Sequence, residues 1–118
     1  MAITVENVIV ELRRSLPSFV IDPEWEAEVL PYPVFNDFAR FICSEAEVLQ
    51  YAVSEEERSS LSKVPDCMVF LENALADGDS AVRDLVRECV ESMSECPWQE
   101  QIKAYAGPLL AAQWRNRL

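Results

Sequence analysis

Read as hydrophobic and polar positions, the chain is most ordered between residues 65 and 93. Cys67, Met68, Phe70, Leu71, Ala74 and Leu75 recur at helical spacing, and Val82, Leu85, Val86, Cys89, Val90 and Met93 follow i, i+3, i+4, i+7, i+8 and i+11 without a slip. Stripes of this kind mark the buried faces of α-helices. Between them lies Ala76-Asp77-Gly78-Asp79-Ser80. Gly78 suits the left-handed position past a helix end, and Asp79 or Ser80 can accept hydrogen bonds from the free amides of the next helix. The pattern predicts an antiparallel helical hairpin closed by an acidic turn.

The remaining pattern is also helical. Val5, Val8, Ile9, Leu12 and Leu16 form one stripe, with Thr4 placed to cap it, Glu6 and Glu11 early, Arg13 and Arg14 late, and Pro17 as its stop, the charge order that a helix dipole favours. Asp22 followed by Pro23 predicts a short helix over residues 23–29, because proline suits the first helical position. Pro31 and Pro33 bracket Tyr32 and predict a loop. From residue 34 to about 51, Val34, Phe35, Phe38, Phe41, Ile42, Ala46 and Leu49 predict a long helix with a wide aromatic face, at the centre of the core. Ser54-Glu55-Glu56-Glu57 has the spacing of a capping box and predicts another helix start. Pro65 marks either a kink or the first turn of a separate helix. Trp98, Ile102, Tyr105 and Ala106 predict a helix that Gly107-Pro108 interrupts, after which Leu109, Leu110 and Trp114 turn inward. Five to seven helices in one compact domain make the class all-α, with the hairpin packed as a HEAT-like pair or within an irregular bundle.

Composition narrows the chemistry. The 118 residues carry ten Lys and Arg against 21 Asp and Glu, a formal charge of -11, with no histidine and two glycines. Such a field repels nucleic acid and anionic membrane and favours basic partners. Without histidine the commonest general base and metal ligand is missing, and two glycines leave no phosphate-cradling loop. Asp77-Gly78-Asp79 lacks the further oxygen ligands and distal glutamate of a calcium loop. Neither an enzyme nor a cofactor is expected. Cys43, Cys67, Cys89 and Cys96 form no CxxC pair and are read as buried free thiols. No signal peptide and no stretch near the ~20 apolar residues of a membrane span is found, so a cytoplasmic protein with reduced cysteines is expected.

Candidate binding residues are therefore surface acids and an aromatic. They are Glu24, Trp25 and Glu26 in the proline-rich segment; Glu45, Glu47, Glu55, Glu56 and Glu57 in the middle; and Asp77 and Asp79 at the hairpin turn. A solvated face explains any one cluster, and Trp25 serves equally as a lid on the core or an anchor for a basic partner. The size of the imbalance is what solubility alone does not require.

The stretch from Phe70-Leu71-Glu72 through Ala76-Asp77-Gly78-Asp79-Ser80-Ala81-Val82-Arg83-Asp84-Leu85-Val86, with the later Gly107-Pro108-Leu109, resembles a family of small α-helical domains among the immunity proteins of bacterial polymorphic toxin systems. The likeness covers the C-terminal half and, in helix order only, the N-terminal half. It implies an inhibitor that binds the catalytic domain of a cognate toxin inside the producing cell. An acidic inhibitor suits a toxin with a basic cleft, such as a nuclease. A regulatory or scaffold module binding a protein or peptide is the alternative, and it predicts an apolar groove instead of an acidic face.

Overall fold

The computed structural model describes residues 2–28, 30–51, 54, 56 and 62–115. Among them seven α-helices follow one another: α1 (Val8–Ser15), α2 (Pro23–Ala27), α3 (Pro31–Val48), α4 (Val64–Asp77), α5 (Ser80–Met93), α6 (Gln99–Lys103) and α7 (Pro108–Arg115), with a 3-10 turn at Leu49–Tyr51 after α3. The radius of gyration is 13.6 Å, which matches the ~13.5 Å expected of one compact body of this length.

Helix α3 is the axis on which the others pack. Its 18 residues bury Val34, Phe35, Phe38, Ala39, Ile42 and Ala46, and its most extensive contact is with α5. All five phenylalanines meet here. The Phe19 ring lies tilted at 5.1 Å from Phe38 and 5.2 Å from Phe41, and Phe38 lies edge-on to Phe70 of α4 at 6.1 Å, within the range where aromatic pairs add to burial. The direction of packing follows from the pairings. Glu45 meets Lys63 while Phe35 and Phe38 meet Phe70, so α4 runs antiparallel to α3. Ser92 and Cys96 face Asn36, Ala39 and Cys43 across one cleft, so α5 runs parallel to it.

The hairpin forms as its stripes predict: Cys67, Met68, Phe70, Leu71, Ala74 and Leu75 of α4 and all six stripe residues of α5 are buried. Its turn differs in detail. Gly78 is extended, with φ -84° and ψ 154°, not left-handed. What requires glycine is crowding, because a Cβ there would lie 2.3 Å from the Ala74 carbonyl oxygen and 2.6 Å from Val82 Cγ1. The extended backbone lets the N-terminal segment dock. The Ile3 amide donates to the Asp77 carbonyl at 3.0 Å, and the Asp79 amide donates to the Ile3 carbonyl at 3.2 Å, so orphan groups at a helix end gain partners. Asp79 is the N-cap of α5, accepting from the Val82 amide at 3.0 Å.

Other local expectations need correction. Asn7, not Thr4, precedes α1, and its Oδ1 accepts from the Thr4 amide at 2.8 Å. Pro31 and Pro33 do not make a loop. They occupy the first turn of α3, where an amide hydrogen has no intrahelical acceptor and proline costs nothing. Pro65 likewise stands in the first turn of a separate helix, α4. Leu109 points outward, 45 % exposed, while Leu110 and Trp114 are buried. The capping box at Ser54 falls largely outside the described residues, as do Glu55 and Glu57. No helix among the described residues is long and apolar enough to cross a membrane.

Candidate functional site

The acidic side chains divide by what they touch. One group holds the fold together. Asp22 caps α2 by accepting from the Glu24 amide at 2.9 Å. Glu45, half-buried, accepts from the Lys63 amide at 2.8 Å, while its backbone oxygen accepts from the buried Ser62 hydroxyl at 3.0 Å. This ties the start of α4 to the end of α3. Glu72 reaches 37 residues along the chain to the start of α7, where its two oxygens accept from the Leu109 amide at 3.0 Å and the Leu110 amide at 2.8 Å. A carboxylate on two free amides at the positive end of a helix is a favourable cap. Gly107 is small because a Cβ there would lie 2.6 Å from Glu72 Cδ. Leu71-Glu72 and Gly107-Pro108-Leu109 thus form one structural joint.

A second group is paired. Glu26 bonds Arg13, and Glu11 bonds Arg14 at 3.1 Å. These pairs stitch α1 to α2 and to itself. Exposed pairs of this kind contribute little stability, of order 0.2–1 kcal/mol, yet they neutralise charge locally.

The third group has neither role. Glu6, Glu24, Glu28, Glu47, Glu56 and Asp77 are exposed with no counter-ion within ion-pair distance among the described residues, and α5 adds Glu88 and Glu91. Of the sequence candidates, Glu24, Glu47, Glu56 and Asp77 are thereby free to meet a partner. Glu26, Glu45 and Asp79 are engaged in pairing or capping, and Trp25 is half-buried against the core with its carbonyl accepting from the Leu30 amide.

The free acids do not converge on one spot. Helix α2 joins the Pro31 end of α3 through three residues. Glu45 lies 14 residues further on, about 21 Å along the axis, with Glu47 beyond it. Asp77 stands at the hairpin turn, near Glu11 and Ser15 in a shallow cleft of about 170 Å³. Among the described residues no three Cys, Asp or Glu side chains gather as a metal site. Among the described residues the arrangement is a distributed negative field.

The cysteines divide too. Cys67 and Cys89 are buried free thiols, as expected. Burial raises both above the ordinary thiol range, Cys89 to about 12, and for Cys67 the negative charge of Glu45 adds to the effect. Cys43 and Cys96 are not free. They are joined in a disulfide with Cα atoms 6.0 Å apart, at ordinary bridging distance. The pairing was hidden in the sequence because 53 residues separate the two and only the parallel docking of α5 on α3 brings them together. A cleft of about 470 Å³ opens beside this bond and is lined by Asn36, Arg40, Ser92 and Glu95 among others.

Comparison of the chain with known protein families, with curated proteins and with solved structures gives no match.

Proposed function

We propose that this chain is an immunity protein: an acidic helical domain that binds and neutralises a cognate bacterial toxin domain with a basic active-site cleft, such as a nuclease, inside the producing cell. The observation that carries the reading is the set of exposed carboxylates without counter-ions on a chain of net charge -11. Self-repulsion of this size opposes folding, so a role for the charge in capture is the economical explanation. Carboxylates from this surface take the positions of substrate phosphates in the basic cleft. Long-range attraction speeds encounter, and a few buried contacts set the lifetime of the complex. The resemblance around Glu72 and Gly107 lends this reading less support once those residues are seen to form a structural joint, since any chain with that joint needs them.

A regulatory module that binds a peptide is the second reading. Its supporting observation is Val69, 59 % exposed, one turn from Glu72 on α4, where Glu72 also fixes the start of α7 and its exposed Leu109. Two outward apolar side chains therefore share the border of α4 and α7.

Charge reversal separates the readings. Glu24→Lys, Glu28→Lys and Glu47→Lys together remove no side chain that caps a helix or joins an ion pair among the described residues, so the melting temperature should hold. Association with the protein domain encoded beside this gene should slow at least ~10-fold at low salt. An unchanged association rate would remove these carboxylates from the mechanism. Loss of binding in Val69→Asp with Leu109→Asp, alongside indifference to salt, would favour the peptide reading.

A further inference from the structure

The Cys43–Cys96 bond fastens α3 to the connection between α5 and α6. Cys96 is 6 % exposed, but Cys43 is only half-buried, and the two together wall the cleft of about 470 Å³. Cys43 is thus the more open end of the bond, on the side of the cleft. The segment that the bond restrains, residues 94–106, is otherwise held by the packing of α6 on α3 and of the partly buried Trp98, Tyr105 and Ala106 on the core. Its backbone hydrogen bonds are all local, from Glu95 to Ser92, Cys96 to Met93, Gln99 to Cys96 and Ile102 to Trp98. Only Ile102 and Cys96 within it are buried. Beyond it α7 is held independently by the Glu72 cap.

We propose that Cys43–Cys96 is a reversible thiol–disulfide exchange site whose partner is a dithiol reductant, and that its opening loosens residues 94–106 while the rest of the fold stays in place. A thiolate of the dithiol attacks Sγ of Cys43, the Cys43–Cys96 bond breaks, and Cys96 leaves as a thiolate that takes a proton from water. The second thiolate of the reductant then attacks its own sulfur in the mixed disulfide and releases Cys43, which is protonated in turn. Two electrons pass to the protein, and the reductant ends as a disulfide. Cys67 and Cys89 stay out of the exchange because both are buried in helices of the core; burial also keeps them protonated at neutral pH. The inference stands apart from the choice of binding partner, since it uses none of the surface carboxylates.

The test treats the folded full chain with dithiothreitol, alkylates it with iodoacetamide and locates the label by mass spectrometry. Expected are labels on Cys43 and Cys96 alone, retained helical circular dichroism, and faster amide exchange in residues 94–106 with none added in α4. The reduced form should melt roughly 10 °C lower, as a bridge closing a long loop implies, and glutathione disulfide should restore the higher melt. The double variant Cys43→Ser with Cys96→Ser should match the reduced protein in melt and exchange. Labelling of all four cysteines together, at the rate of global unfolding, would overturn the proposal. So would a double variant that melts with the oxidised protein, or a chain that glutathione disulfide does not reclose.

Discussion

At the scale of single residues, Glu72 and Gly107 constrain each other: the carboxylate accepts two amides of α7, and it fills the space that a Cβ at 107 would need. Removing the carboxylate in Glu72→Ala should cost about 1–2 kcal/mol, the usual worth of a helix cap with a charged acceptor. Gly107→Ala should cost a similar amount, because its methyl group would displace a side chain pinned by two hydrogen bonds. The two losses should not add. Once Glu72 is alanine the methyl group has room, so a double-mutant cycle in chemical denaturation should show a coupling of at least ~0.5 kcal/mol, and additive losses would refute the joint. The buried thiols predict a pH dependence. Their folded pKa values lie above the unfolded value near 9, so their contribution is complete below pH 9 and is lost as pH rises towards about 12. Each thiol should steepen the alkaline loss by up to ~1.4 kcal/mol per pH unit. Melting curves of Cys89→Ala should therefore fall less steeply between pH 9 and 11 than those of the natural chain; parallel curves would contradict the burial of that thiol.

At the scale of elements, periodicity was enough to find the helices, and side-chain detail decided the joints. Leu85 repeats with Val82, Cys89 and Val86 in a slip-free stripe, and it is fully buried. Leu85→Ala should cost ~2–5 kcal/mol, read as a shifted denaturation midpoint. The prolines at 31 and 33 misled because proline signals both a break and a first helical turn, and only the register of Val34 and Phe35 against the core chooses between them. Gly78 was legible as a turn residue but not for its reason. The left-handed position is one use of glycine, and close approach of Ala74 and Val82 is another. Gly78→Ala should thus destabilise the hairpin by roughly 1–3 kcal/mol and increase amide exchange at Ile3 and Asp79, whose bridge depends on that backbone; unaltered exchange there would show the bridge to be independent of the glycine. The candidate surface was legible only as charge. Asp79 was legible as a cap from its place before the second stripe, whereas Glu45 reads like any other exposed acid in the sequence, and it took the fold to show that it holds the start of α4.

At the scale of the whole molecule, two properties act together. The helices close around one apolar core, and the exposed carboxylates without counter-ions among the described residues are spread over faces about 20 Å apart. A distributed field of this kind suits the steering of a large basic partner, as the proposed function requires. Screening reaches about 8 Å at physiological ionic strength, so the attraction acts mainly in the last stage of approach and should respond strongly to salt. The most direct measurement is binding of this chain to the protein domain encoded beside its own gene, followed at low and physiological salt, with growth of cells that express that domain in the presence and absence of the chain. A tight complex is expected, with association at least ~10-fold faster at low salt and growth only when both are made. A neighbour that is harmless and unbound, or a complex whose association ignores salt, would contradict the proposed function.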